Sequence, residues 1–133
     1  MIFFRDKTES LVTDSATQGL YLLFKELENS TVILHPNTCL QVYMAAIYAN
    51  KKVAFADIDP ITCNYRKESL ENEIIKSLEK KENPIVLIVH LLGITCSLEI
   101  IDLCKKYKSI IIEDCAQALF SYYSDEMPVG SKG

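Results

Sequence analysis

Glycine is scarce in this chain, four residues in 133, and no candidate strand runs into a Gly-x-Gly-x-x-Gly or Gly-x-x-x-x-Gly-Lys turn. That excludes the dinucleotide fingerprint and the P-loop, which need glycine where backbone closes on phosphate. A Gly-x-Ser-x-Gly elbow is missing too, which argues against a serine hydrolase. The two histidines have no companions at metal-ligand spacing, so no metal site is read. Five cysteines, odd in number and without a Cys-x-x-Cys pair, point to reduced thiols in a cytoplasm, most of them small core residues. Positive charge is not in excess: the net charge is -4 and no basic cluster occurs, which leaves no electrostatic basis for nucleic-acid binding. Long apolar runs are absent as well, none approaching the ~20 residues of a membrane span. Met1-Ile-Phe-Phe-Arg5-Asp6 is too short and too soon charged for a secretory signal.

What is present is a regular alternation. Asp14-Ser15-Ala16-Thr17 offers N-cap side chains ahead of Leu20, Leu23, Phe24 and Leu27, which share one helical face, so a helix is predicted over 16–28. Thr31–Leu34 reads as a strand stopped by His35-Pro36. A helix over 38–49 follows, with Asn50 suited to the left-handed C-cap. Lys52–Ala56 is the next strand, and Lys67–Lys80 a charged amphipathic helix with Leu70, Ile74 and Leu78 at i, i+4, i+8. Pro84–Val89 is the most apolar strand and ends in His90. Gly93 breaks the path, and Ser97 caps a helix to about Lys106. Ser109-Ile-Ile-Ile-Glu113-Asp114 is the last strand, whose unbroken isoleucines suit burial on both faces. Residues 120–123 and 127–129 make a terminal hairpin without the usual turn glycine.

Strand and helix in turn imply an α/β fold, a three-layer α/β/α arrangement on a mostly parallel sheet with right-handed crossovers. The four strands end at His35, Asp57, His90 and Asp114, which should line one sheet edge, where open α/β sheets bind ligands. Glu113 and Asp114 read either as solvent-facing strand caps or, for Asp114, as a partner for a cationic ring nitrogen. His90 reads as a hydrogen-bonded strand-end histidine. Ser15-Ala16-Thr17-Gln18 is either a plain N-cap or a phosphate cradle. A phosphate cradle and a carboxylate together meet the needs of pyridoxal phosphate.

Six stretches in order sharpen this: Ser15-Ala16-Thr17; Pro36 with Thr38-Cys39; Ala56-Asp57-Ile58-Asp59 followed by Thr62 and Asn64; Val89-His90-Leu91-Leu92-Gly93; Ile112-Glu113-Asp114-Cys115-Ala116-Gln117-Ala118; and Val129-Gly130-Ser131-Lys132-Gly133. Over residues 14–133 the chain thereby resembles the N-terminal part of the large domain of fold-type I pyridoxal-phosphate enzymes, specifically the DegT family of sugar aminotransferases. The resemblance implies that Asp114 binds the pyridinium nitrogen and that Gln117 lies near the ring's phenolic oxygen. It also implies that Ala16, Thr17 and Gln18 contact the phosphate. Leu40 stands where the family often has an aromatic stacked on the ring, keeping apolar contact without π-stacking. Leu92 likewise replaces an aromatic.

The family's Schiff-base lysine follows the next strand, beyond Gly133, and Lys132 is not at its position. The resemblance therefore implies one truncated large-domain piece over 1–133, with no catalytic residue of its own and inactive alone. The parent activity would be amino transfer from a donor such as glutamate to a nucleotide-linked keto-sugar, in polysaccharide or antibiotic-sugar synthesis. The alternative is a non-catalytic module that binds a partner subunit, or a second copy, through an open sheet edge.

Overall fold

The computed structural model describes residues 12–133; the opening segment, with Met1–Asp6, lies outside the described residues. Helices α1 (Ala16–Glu26), α2 (Leu40–Tyr48), α3 (Lys67–Glu79) and α4 (Leu98–Lys106) alternate with strands β1 (Ser30–Leu34), β2 (Lys52–Phe55), β3 (Asn83–Val89) and β4 (Ile110–Asp114). The strands form one sheet in the order β2-β1-β3-β4, parallel at every pairing. The expected α/β class and parallel sheet are therefore observed.

β1, β2 and β3 each feed a helix that returns the chain to the amino edge of the sheet. β1 steps outward to β2, and the chain then crosses back over β1 to β3 and continues to β4. Right-handed crossovers put α2 on one face and α3 and α4 on the other. The core divides accordingly. Leu20, Phe24, Val32, Leu34, Val42, Ile85 and Leu87 pack beneath α1 and α2. Ile33, Leu70, Ile74, Val86, Ile88, Ile101 and Cys104 pack beneath α3 and α4. Along each strand the two sets alternate, as a period of two requires.

The shortage of glycine shows at the helix ends. Asn29, Asn50, Lys81 and Lys108 follow the four helices, each at positive φ, so residues with a Cβ hold the left-handed position. Asn50 thus takes its predicted place. After α2, α3 and α4 the paired bonds Lys51 N–H to Ala46 O, Glu82 N–H to Ser77 O and Ser109 N–H to Cys104 O complete Schellman ends. These bonds offset the ~1–2 kcal/mol cost of the left-handed conformation.

Several details differ from expectation. α2 starts at Leu40, two residues late, because Thr38 N–H closes a turn on His35 O. Ser97 precedes α4 without a side-chain cap bond. β4 is half-buried along its length, because it is an edge strand, flanked among the described residues by β3 alone. Only Cys96 and Cys104 of the five cysteines are core residues, and Cys39 is exposed. The hairpin is reduced to a single antiparallel bridge, Tyr122 with Pro128, and Glu126 takes the positive φ that glycine usually supplies.

Candidate functional site

Alternation along β4 separates its two carboxylates. Ile111 packs with the core under α3 and α4, Ile110 and Ile112 with the core under α1 and α2. Glu113 therefore points toward the α3/α4 face and Asp114 toward the α1/α2 face.

Glu113 is the residue that sequence reasoning missed. Its side chain is 2% exposed, and it faces no solvent. Oε2 accepts from Tyr123 OH at 2.5 Å, Gly130 N–H at 2.8 Å and His90 Nε2 at 3.1 Å. Oε1 accepts from Lys132 N–H at 2.6 Å and Gly133 N–H at 2.7 Å. His90 Nδ1 accepts from Cys96 N–H at 3.3 Å, so the proton of the neutral ring sits on Nε2 and points at Glu113. Burial by itself raises the Glu113 pKa. The bonds from His90, Tyr123, Gly130 and Lys132 outweigh it and bring the pKa from 4.5 down to about 2. The same burial, with the bond to Glu113, pushes the Tyr123 hydroxyl up. Cys115, beside both carboxylates, is pushed up to about 12 by burial first and their charges second.

His90, Glu113 and Cys115 offer ligand atoms within 4.8 Å of one another. Their donors and acceptors are spent internally: Nε2 is protonated, both carboxylate oxygens are saturated, and the thiol is held neutral. The alternation of Glu113 with Asp114 was the signal available in the sequence, since one of two neighbouring strand residues must face inward.

Asp114 is different. Its backbone is held by His90 N–H, which donates to Asp114 O at 3.1 Å. Its Oδ1 accepts from Ala116 N–H at 3.0 Å, and its other oxygen has no hydrogen-bond partner among the described residues. Gln117 is exposed, and its Oε1 accepts from Leu92 N–H at 2.9 Å, which ties the turn after β4 to the turn after β3 and leaves its amide NH2 uncommitted.

On the same face, only three residues separate α1 from β1, so α1 ends at the amino edge of the sheet. An 11-residue helix is about 16 Å long, matching a five-residue strand, so the N-terminus of α1 lies toward the carboxyl edge. Ser15 caps it: Gln18 N–H donates to Ser15 Oγ at 3.2 Å, and Gln18 Oε1 accepts from Asp14 N–H at 3.1 Å. The N–H groups of Ala16 and Thr17 stay free of partners among the described residues, leaving two orphan donors at the positive end of the helix. Leu40, 66% exposed, opens α2 at that edge. Ala16, Thr17, Gln18, Leu40, Asp114 and Gln117 thus share one sheet edge, with no hydrogen bond between the α1 group and the β4 group among the described residues.

The other strand ends divide. Asp57 is exposed, whereas His35 and His90 are wholly buried. β1 and β3 are the neighbours at which the chain reverses direction across the sheet, the switch point where α/β folds open a crevice. Here that crevice is plugged. Tyr65 OH lies 2.9 Å from Ile33 O and 2.6 Å from Leu87 O, and His35 stands edge-on to its ring at 5.2 Å.

Known proteins resemble this chain in sequence and in fold. Residues 3–133 match the DegT/DnrJ/EryC1/StrS aminotransferase family. A UDP-4-amino-4,6-dideoxy-N-acetyl-beta-L-altrosamine transaminase of Campylobacter jejuni is 32% identical over 124 residues, 91% of this chain and 32% of that protein. Helicobacter pylori PseC, an aminotransferase of pseudoaminic acid biosynthesis, shares the fold at TM-score 0.72 and 22% identity, over 87% of this chain and 31% of that one. An E. coli GDP-4-keto-6-deoxy-D-mannose-3-dehydratase with bound hydrated PLP shares it at TM-score 0.61 and 22% identity, over 74% of this chain and 26% of that one. The chain spans about a third of the length of the curated relatives it matches. The chain belongs to the DegT/DnrJ/EryC1/StrS aminotransferase family.

Proposed function

We propose that these residues form part of the large domain of a pyridoxal-phosphate-dependent sugar aminotransferase, which moves an amino group from a donor such as glutamate to a nucleotide-linked keto-sugar. The observation that carries this reading is the pairing of a half-committed carboxylate, Asp114, with the orphan N–H groups of Ala16 and Thr17 on one face and edge of the sheet. Those groups fit the cofactor: a dianionic phosphate needs free N–H donors, and a protonated ring nitrogen needs a carboxylate acceptor.

In this reading Ala16, Thr17 and Gln18 hold the phosphate, with Thr17 adding its hydroxyl. Asp114 keeps a proton on the ring nitrogen through its uncommitted oxygen. Leu40 covers a ring face with apolar surface, and the free amide NH2 of Gln117 reaches the ring oxygen. The cofactor, when bound, supplies the electron sink for chemistry at the amino carbon. In this reading the part assigned to residues 1–133 is cofactor binding.

The test is equilibrium binding of pyridoxal phosphate, pyridoxal and inorganic phosphate to the 133-residue chain. Saturable binding of pyridoxal phosphate, competed by phosphate and weakened at least about tenfold by Asp114→Asn, is expected, a tenfold change being about 1.4 kcal/mol. Equal binding by wild type and Asp114→Asn counts against the reading.

The half-buried edge of β4 favours a second reading, a non-catalytic module that docks a partner subunit or another copy along that strand. Size-exclusion at several concentrations separates them, since a concentration-independent monomer argues against docking.

A further inference from the structure

We propose that Glu113 is the positioning residue for Asp114, fixing from the opposite face of the sheet the direction in which Asp114 presents its carboxylate. The inference rests on the pyridoxal phosphate reading of Asp114.

Asp114 cannot orient itself. Among the described residues its side chain makes one hydrogen bond, accepted from the N–H of Ala116 two residues on, and that contact moves with the turn that contains it. What must be fixed is the backbone at the strand end, where β4 has β3 on one side only. Glu113 performs this. Its two oxygens gather donors from four separate segments: His90 after β3, Tyr123 in the hairpin, Gly130, and the pair Lys132 and Gly133. The three backbone N–H groups converge on the carboxylate as a small anion nest, formed with Gly130 at φ +82°. Because consecutive strand residues point to opposite faces, a side chain immobilised at 113 sets the azimuth of 114. The same clamp fixes His90, whose own N–H holds Asp114 O. The ring and the backbone of one residue therefore grip both carboxylate-bearing residues.

The requirement is for a carboxylate and not merely for a side chain of this size. Both oxygens act only as acceptors, Oε2 for three donors and Oε1 for two. A glutamine, in either orientation, turns an NH2 group against at least two of those donors. A purely structural anchor would lower stability and would weaken any cofactor contact by the same factor, whether or not Asp114 is present. A positioning residue acts through Asp114, so its effect vanishes once the Asp114 carboxylate is gone.

The experiment is a double-mutant cycle on the 133-residue chain, with pyridoxal phosphate as the titrated probe, over wild type, Glu113→Gln, Asp114→Asn and the double variant. Tyr123→Phe, which removes one donor and keeps the carboxylate, serves as a second and milder perturbation should Glu113→Gln not fold. The pH at which the bound ring nitrogen loses its proton is followed by absorbance as an independent readout. Expected are weaker binding in Glu113→Gln comparable to that in Asp114→Asn, a double variant within about twofold of Asp114→Asn alone, and a ring-nitrogen titration shifted down in both single variants. Tyr123→Phe should shift it the same way by less, and should have no further effect in the Asp114→Asn background. Losses that multiply independently, or a ring titration unmoved by Glu113→Gln and Tyr123→Phe, overturn the positioning role while leaving the cofactor reading intact. No saturable binding by wild type, or none lost in Asp114→Asn, overturns the cofactor reading and this inference with it.

Discussion

Acid should unfasten the end of β4, and Glu113 sets the pH at which it does. In the fold its pKa lies at about 2, against an ordinary 4.5, because the bonds it accepts favour the charged form more than burial disfavours it. A depressed carboxylate contributes stability that is fully present above pH 4.5 and is lost as pH falls toward 2. At about 1.4 kcal/mol per unit, that contribution is roughly 3 kcal/mol, a large part of the 5–15 kcal/mol that holds a domain together. Of the groups facing Glu113, Tyr123 and Cys115 stay neutral throughout this range, and His90 donates to it from Nε2. The assay is urea denaturation of wild type and Glu113→Gln at a series of pH values between 7 and 2. Other carboxylates with lowered pKa, among them Glu82 and Glu71, titrate in both proteins, so the difference between the two curves isolates Glu113. Wild type should be more stable by about 3 kcal/mol or more above pH 4.5, with the gap narrowing by about that amount as pH approaches 2. A gap that stays constant with pH would show that the carboxylate's charge is irrelevant and would refute the reasoning.

Three further outcomes follow from the same contacts. Tyr65→Phe leaves the carbonyls of Ile33 and Leu87 without their shared hydroxyl at the plugged switch point, and should cost about 1–3 kcal/mol in urea denaturation. Gly130→Ala places a Cβ at positive φ, 3.3 Å from Cys115 Sγ, and should cost about 1–2 kcal/mol while speeding amide exchange at Lys132 and Gly133. His35, wholly buried with Nε2 unpartnered, has its pKa lowered by burial, so its neutral form is the folded form. Its contribution is complete above pH 6.5 and declines as pH falls below that value. His35→Phe should flatten that part of the stability profile, and an unchanged profile would argue against it.

The alternation of strands and helices was legible because each element carries its own period. Val32 and Leu34 alternate with Ile33 between the two cores, and Leu70 and Ile74 share one helical stripe. Asn50 was legible because a left-handed C-cap accepts few residues. The half-burial of β4 was not, since three isoleucines report apolarity but not which strands flank them. Nor was the division of the strand-end polar residues. His35, His90 and Asp114 look alike as residues that stop an apolar run, and only register and packing send the histidines inward. Glu113 was hidden because its donors are backbone N–H groups at 130–133, which sequence does not display, and because Tyr123 reads as one more hairpin aromatic. The candidate cofactor residues were named from short motifs; what the fold adds is that Asp114, Leu40 and the start of α1 lie on one face.

That common face is the central claim, and backbone amide shift mapping tests it directly. Pyridoxal phosphate titrated into the labelled chain should move the N–H signals of Ala16, Thr17 and Gln18 together with those of Ala116 and Gln117, along one saturation curve. Shifts confined to a different surface, such as the concavity lined by Asp57, Arg66 and Asn72, would contradict it.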